Sequence, residues 1–193
     1  MKKQLLTAAL ILAGFSGANM AQAAETYTVD ASHTNILLRV SHLGFSTMVL
    51  EALQPQGTLQ FDEDHPEKSK INITLKSANI DGDDDKFNAH LHSADFFNAE
   101  NYPEITFNST KIKVTGENTG IVTGDLTMLG QTRPVDLNVT FNKGGVNAFS
   151  QAKTVGFTAS GTLKRSDFGI NYALPAVGDE VTLDINLEAA QAK

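Results

Sequence analysis

Residues 181–188 read VTLDINLE, an alternation of apolar and polar side chains that runs without a fault. Every second side chain is valine, leucine or isoleucine, so these side chains would share one face of a β-strand. The same period of two recurs at residues 71–76 (INITLK) and 135–142 (VDLNVTFN). Strands of this kind predict a sheet that has one apolar face and one wet face.

Shorter alternating runs extend this pattern over most of the chain. They predict further strands at residues 27–30, 35–41, 58–62, 104–115, 120–129 and 154–164, with turn signals between them. Many antiparallel strands joined by tight turns predict an all-β protein, either a sandwich or a sheet that closes on itself. Periodicity does not choose between the two. An outer-membrane barrel is disfavoured because this chain has no tryptophan and only three tyrosines for aromatic girdles.

The one helix that we predict lies in residues 83–107, DDDKFNAHLHSADFFNAENYPEITF. Three aspartates at residues 83–85 suit the positive end of a helix, and Phe87, Leu91 and Ala94 follow at helical spacing. Two adjacent phenylalanines at residues 96–97 then occupy an irregular segment. An aromatic-rich elbow beside a sheet indicates the mouth of a closed pocket.

Residues 1–23 have the pattern of a secretory signal peptide. Lys2 and Lys3 precede an apolar run, and a small-x-small site predicts cleavage after Ala23. We therefore predict export and a mature chain, residues 24–193, that forms one domain. A transmembrane anchor is the alternative reading, but the apolar run is too short and is interrupted by glycine and serine.

The composition excludes several classes of function. The chain has no cysteine, so it offers no lipoprotein anchor, no disulfide and no thiolate chemistry. Its formal net charge is −7 at pH 7, and removal of the signal peptide with its two lysines would make it more acidic. Such a surface repels nucleic acid and anionic membranes, so we predict neither as a partner.

We predict no metal site and no catalytic residue. His90 and His92 are two positions apart, so on a helix they point to different sides. The acids at residues 81–85 resemble a calcium loop, but Lys86 and His92 stand where the EF-hand pattern needs glycine and glutamate. Helix capping explains these acids without a cation. The chain also lacks a Gly-x-Ser-x-Gly elbow and a Ser-x-x-Lys motif.

The eleven phenylalanines give the strongest indication of a binding function. Several fall outside the regular strands, at residues 45, 87, 96, 97, 149 and 168. These side chains either fill a core or surround the mouth of a barrel that holds an apolar ligand, and composition leaves both readings open.

Four stretches resemble the YceI-like family of periplasmic lipid-binding proteins, and the resemblance covers essentially the whole mature chain. They are residues 33–46 (HTNILLRVSHLGFS), 90–97 (HLHSADFF) followed by Tyr102, Pro103 and Phe107, 124–127 (GDLT) with 130–135 (GQTRPV), and 165–170 (RSDFGI). Each stretch alone is unspecific, but their order and spacing together are specific.

The resemblance implies an extended lipocalin-like antiparallel β-barrel with one short helix near the barrel mouth. It implies a periplasmic protein that encloses a long apolar ligand, such as a polyisoprenoid, an isoprenoid quinone or a fatty amide, for transport, storage or sequestration. No cofactor is implied beyond such a bound lipid, and binding rather than turnover is expected. The mouth or wall residues that it implies are Phe45, Phe87, Leu91, Phe96, Phe97 and Phe168, and the residues that meet a polar or phosphate head group are Arg39, His90 and Arg165.

Arg39 has a second interpretation that comes from the residues alone. Ile36, Leu38 and Val40 take the apolar face of the predicted strand, so strict alternation sends Arg39 outward to pair with a surface carboxylate. Both fates stay open for this side chain.

Two further expectations concern partners. Pro55 suggests an edge strand or a bulge, and such an edge, or the chain termini, would allow a homodimer. The alternative to a lipid carrier is an acidic protein-interaction or stress-protective module in which the phenylalanines form only a core.

Overall fold

The computed structural model describes residues 24–191. Its elements are β1 (Glu25–Val29), β2 (Asn35–His42), β3 (Ser46–Ala52), β4 (Gln56–Phe61), β5 (Lys70–Lys76), β6 (Ile80–Asp81), α1 (Asp85–Leu91), β7 (Glu104–Val114), β8 (Thr119–Met128), β9 (Gln131–Val146), β10 (Lys153–Lys164) and β11 (Val177–Ala190). Three single turns of 3₁₀ helix lie at Pro66–Lys68, Ser77–Asn79 and Arg165–Phe168.

The strands form one antiparallel sheet that closes on itself. β1 and β2 lie end to end along β11, because Val29 pairs with Ala189 and Asn35 pairs with Asn186. β4 pairs with β1 and β3 pairs with β2, so β3 and β4 together form the next strand of the wall. β5 pairs with β4 and β6 pairs with β3 in the same way. The wall therefore consists of eight long strands that neighbour one another in chain order, and the pairing of the first with the last closes the barrel. This confirms the barrel and excludes the sandwich.

The predicted helix is confirmed as α1. The carboxylate of Asp84 caps it by accepting a hydrogen bond from the backbone N–H of Phe87 at 2.9 Å. Asn88 ties the helix to β6, since its side chain accepts from the N–H of Gly82 at 2.7 Å and donates to Asp81. Ala94 lies beyond the end of the helix. α1 thus covers the place where β6 is too short to complete the wall.

One strand was missed by the sequence analysis, and one prediction about an edge strand is wrong. β3 was not predicted, although Met48 and Leu50 line the interior, because the exposed apolar side chain of Val49 between them blurs the alternation. The strand that follows Pro55 is not an edge, because β4 pairs with β1 on one side and with β5 on the other. Pro55 is instead fully buried in the break between β3 and β4.

The termini do not offer the other edge that was suggested for a homodimer, because β1 and β11 pair with each other. The homodimer itself stays a prediction. The predicted signal peptide, residues 1–23, lies outside the described residues, so the domain limits also stay predictions. Within residues 24–191, no helix has the length and apolar character needed to cross a membrane.

The barrel has two ends with different connections. At the helix end lie α1 and the turns at residues 43–45, 129–130 and 165–176; at the far end lie the connections at residues 62–69, 115–118 and 147–152. Each end holds its own cluster of buried apolar side chains. The helix-end cluster includes Ile80, Leu91, Phe97, Met128 and Phe168, and the far-end cluster includes Tyr27, Leu59, Phe61, Val155 and Leu187.

Candidate functional site

The barrel holds a cavity of about 890 Å³ that runs along it and is lined by members of both buried clusters. This volume lies near the upper end of the range of about 300–1,000 Å³ typical of small-molecule sites. Its wall is built by the strand alternation that the sequence shows. The inward side chains of three long strands illustrate it: Ile36, Leu38 and Val40 from β2, Val135, Leu137 and Val139 from β9, and Val181, Leu183 and Ile185 from β11.

The middle of the cavity is apolar, and its ionisable side chains lie at the ends. His42, His90 and Arg165 line it at the helix end, whereas Glu63 and Glu117 line it at the far end. An apolar channel with polar groups only at its ends suits a long molecule with an apolar body. The charge difference between the ends was not predicted, because the two glutamates lie in loops that are remote in sequence.

Three aromatic rings line the cavity at the helix end. The centroid of the His90 ring lies 5.0 Å from that of Phe96 and 5.0 Å from that of Tyr172, in edge-to-face geometry both times. The Phe96 and Tyr172 centroids are 5.3 Å apart. Asp95 fixes the histidine, since its carboxylate Oδ2 lies 3.0 Å from His90 Nε2. These three rings line the helix end of the cavity, and the interpretation of this end as the mouth stays a prediction.

Arg165 is a buried cation at the same end, with only 5% of its surface exposed. Its Nε donates to the carbonyl of Gly178 at 2.7 Å, Nη1 to that of Ile170 at 3.0 Å and Nη2 to that of Val177 at 2.9 Å. Burial lowers the pKa of the guanidinium, although an arginine keeps its proton under all ordinary conditions. Through these three hydrogen bonds, Arg165 joins the segment that follows β10 to the start of β11.

Asp179 in β11 supports the same turn from the other side of the connection. Its carboxylate accepts from the backbone N–H and from the hydroxyl of Ser166, both at 2.9 Å. The hydrogen bond from the Ser166 backbone is the main reason why the pKa of Asp179 lies below its usual value. Asp179 therefore fixes the 3₁₀ turn that carries Arg165.

Six of the nine predicted site residues line the cavity. They are Phe87, His90, Leu91, Phe96, Phe97 and Arg165. The structure brings all six together at the helix end. Tyr172 belongs with them and was not predicted, because it lies in an irregular segment where neither strand nor helix periodicity marks an inward side chain.

The other three predicted residues lie away from the cavity. Phe45 is at the tip of the turn between β2 and β3, where 90% of its surface is exposed. Phe168 is buried in the helix-end cluster, outside the cavity wall. Arg39 points outward, as strict alternation requires, and its Nη2 lies 3.7 Å from Asp184 Oδ2 on the neighbouring strand. Of the two interpretations of Arg39, the surface ion pair is the one that the structure shows.

The histidines and aspartates of the helix region serve local structure. His92 Nε2 lies 2.9 Å from the carbonyl of Ile80, and His90 contacts Asp95, so the two imidazoles have separate partners. Asp81 bonds Asn88, and Asp84 caps the helix. Among residues 24–191, no group of three or more histidine, aspartate or glutamate side chains is placed to share a metal ion.

Comparison with known proteins identifies the family of this barrel. Residues 27–189 match the family described as the YceI-like domain. The chain belongs to the YceI-like family. This YceI-like protein is 35% identical over 193 residues to Protein YceI of Escherichia coli O6:H1 (strain CFT073) and 38% identical over 195 residues to a UPF0312 protein of Pseudomonas syringae pv. syringae (strain B728a), and each match covers all of both chains.

Solved structures share the YceI-like fold. The crystal structure of Burkholderia cenocepacia BcnA aligns with a TM-score of 0.75 at 25% identity, over 83% of this chain and 98% of that one. A polyisoprenoid binding domain from Saccharophagus degradans aligns with a TM-score of 0.67 at 12% identity, over 89% of this chain and all of that one. The predicted family resemblance is therefore confirmed, and with it the all-β barrel with a single short helix.

Proposed function

We propose that this protein binds one long apolar molecule, an isoprenoid or another long-chain lipid, inside the barrel. The observation that carries the proposal is the apolar cavity of about 890 Å³, which extends between the two ends of the wall. Aliphatic side chains from all around the ring line it, so a ligand with a flexible hydrocarbon body gains contacts along its whole length.

The proposal is specific about shape. The cavity runs along the strands, of which β10 has 12 residues and β11 has 14, so each spans about 40–50 Å at the usual rise per residue. A compact ligand would leave most of this space without contacts. One protein that shares the fold is a polyisoprenoid binding domain. At 12% identity it supports only the statement that a barrel of this fold can hold such a ligand.

We further propose that the bound lipid is carried or sequestered in the periplasm and is not chemically changed. The signal-peptide pattern of residues 1–23 supports export. The lack of a cysteine and of a recognisable nucleophile motif supports binding without turnover. The polar groups at the helix end would meet the head group of the ligand, with the half-buried His90 as the candidate.

The test is native mass spectrometry of the protein taken gently from cells, followed by organic extraction of any adduct and by binding of added octaprenol. Ala159 lies inside the wall, and Ala159→Phe places a ring in the middle of the cavity. We expect this variant to fold and to lose lipid. Ser160→Phe is the matched control, because it adds the same ring one position along β10 on the exposed face.

A stoichiometric lipid adduct in the natural protein and in Ser160→Phe, but not in Ala159→Phe, is the expected result. A mass without any adduct, together with no uptake of added octaprenol, would refute the proposal that the protein carries lipid. It would favour the alternative function, an acidic protein-interaction module. Equal lipid content in both variants would refute the cavity as the binding site.

A further inference from the structure

Three exposed apolar side chains lie at the helix end of the barrel, where we place the cavity entrance. Leu43, Phe45 and Tyr172 expose 51%, 90% and 46% of their surfaces. We call these three residues the rim patch. The tight turn that carries the first two is fixed, since Leu43 N–H donates to the carbonyl of Ala176 at 2.9 Å and Phe45 N–H donates to that of His42 at 3.0 Å.

The rim patch is continuous with the interior of the barrel. Leu43 and Tyr172 are exposed and also line the cavity, so these two apolar side chains connect the wall with the surface. Phe45 lies two residues from Leu43 at the outermost point of the turn. A phenylalanine that is almost wholly in water contributes nothing to the core, and exposed apolar surface beside a cavity marks a contact site. Val114, Val146 and Phe149 are also exposed at the far end, so exposure alone does not choose between the two ends.

We infer that the rim patch docks on the surface of a lipid bilayer, so that the cavity entrance faces the hydrocarbon while the ligand enters or leaves. The inference rests on the proposed function. A long-chain lipid that crosses water unaided pays about a fourfold penalty for each exposed methylene, which makes transfer through solution negligible. An entrance pressed against the bilayer removes that barrier, and aromatic side chains at the contact suit the interface.

The ionisable side chains that line the cavity favour this orientation, because carboxylates in contact with a bilayer would have to lose their water. At the far end Glu63 and Glu117 line the cavity, so carboxylates would have to approach the lipid head groups. At the helix end the ionisable lining side chains are His42, His90 and Arg165. The exposed aspartates that begin α1 lie at this end too, and the chain has a net charge of −7, so anionic lipid should weaken the contact.

The test uses the full mature chain on supported bilayers of phosphatidylcholine, with binding read by surface plasmon resonance. Phe45→Asp removes the outermost apolar ring. Phe149→Asp is the matched control, because Phe149 is 99% exposed on the turn between β9 and β10 at the far end. We expect Phe45→Asp to weaken bilayer binding by about tenfold or more and Phe149→Asp to leave it unchanged. Replacing part of the lipid with phosphatidylglycerol should weaken binding of the natural protein, and added salt should restore it.

Two further measurements separate this inference from the proposed function. Uptake of radiolabelled octaprenol from phosphatidylcholine vesicles should slow at least tenfold in Phe45→Asp, whereas equilibrium binding of geraniol, a short isoprenoid alcohol, from solution should be unchanged. If no form of the protein binds geraniol or octaprenol, the proposed function fails, and the bilayer measurement still tests docking by itself.

Equal bilayer binding by Phe45→Asp and Phe149→Asp would overturn the inference. So would an octaprenol transfer rate that does not depend on vesicle concentration, because that is the behaviour of transfer through water. Absence of bilayer binding, together with a dimer in solution that Phe45→Asp dissociates, would assign the rim patch to a second copy of the chain instead.

Discussion

Replacement of Arg165 by methionine should destabilise the barrel, because this side chain joins two segments. The guanidinium donates one hydrogen bond to each of three carbonyls, those of Ile170, Val177 and Gly178. Methionine has a similar unbranched apolar stem and no donor. The substitution therefore leaves three acceptors without partners where the chain passes from the 3₁₀ turn at Arg165–Phe168 to β11.

The expected loss follows from the surroundings of each acceptor. The hydrogen bond to Ile170 is fully buried, and its loss should cost about 2 kcal/mol because water cannot replace the donor. The bonds to Val177 and Gly178 are partly buried, so water compensates in part and each should cost about 1 kcal/mol. Removal of the cation also relieves its desolvation; because two of its three hydrogen bonds are only partly buried, we take this gain as about 1 kcal/mol, below the several kcal/mol of a fully dry ion. The net loss is about 3 kcal/mol, which lowers the Tm by roughly 6–12 °C for a domain of this size.

Urea unfolding followed by circular dichroism measures this loss directly. Arg39→Met is the matched control, because it removes an exposed arginine whose ion pair with Asp184 spans 3.7 Å, and its cost should stay below about 1 kcal/mol. Arg165→Lys adds a second comparison, since an ammonium keeps the charge but cannot reach three carbonyls in fixed directions. We expect it to lose most of the same stability.

Equal costs for Arg165→Met and Arg39→Met would refute this role for the three carbonyls. Full stability in Arg165→Lys would also contradict it, since charge alone would then be sufficient. A normal unfolding curve for Arg165→Met with a loss only of octaprenol affinity would instead assign the guanidinium to the ligand.

Other predictions concern single contacts. Asp84→Ala removes the cap of α1 and should cost about 1 kcal/mol in urea unfolding, and an unchanged midpoint would contradict the capping role. Gly124→Ala should cost about 2 kcal/mol because a Cβ there would overlap the ring of Phe107, and a crystal structure of the variant should show that ring displaced into the cavity. The hydrogen bond to Asp30 raises the pKa of His33 above 6.5, so the folded protein holds this proton more tightly than the unfolded chain does. The resulting stabilisation is complete below pH 6.5 and is lost as the pH rises through the folded pKa. The Tm should therefore fall slightly between pH 6 and pH 9, and His33→Gln should remove that part of the pH dependence.

The wall of the barrel could be predicted from the sequence because its cause is local. In residues 181–188 the pleat of the strand sends successive side chains to opposite faces, so the apolar ones face inward and the polar ones face outward. This alternation needs no contact with the rest of the fold. The capping aspartate of α1 is equally local. Closure was not local, since the pairing of Val29 with Ala189 joins residues from the two ends of the sheet.

The site could be predicted only where an element determines the direction of a side chain. Phe87 and Leu91 are four residues apart on a helix, and both line the cavity. Phe45 and Phe168 have the same side chain but lie in a turn and in a 3₁₀ segment, where composition says nothing about direction. One is in solvent and the other is in the core. The three acceptors of Arg165 are backbone carbonyls, which no residue type in the sequence reveals.

Because β1 pairs with β11, the strands of the wall form a closed ring in which no strand is the first. Gln191 N–H donates to the carbonyl of Lys153 at 2.9 Å, and the ammonium of Lys153 contacts Glu25, so the two ends of the described chain meet at one residue. Because the strands succeed one another around a ring, a chain that began at any exposed turn and ran once around would trace the same enclosure. The shape is encoded in the cyclic order of its strands, and the position of the chain ends is incidental to it.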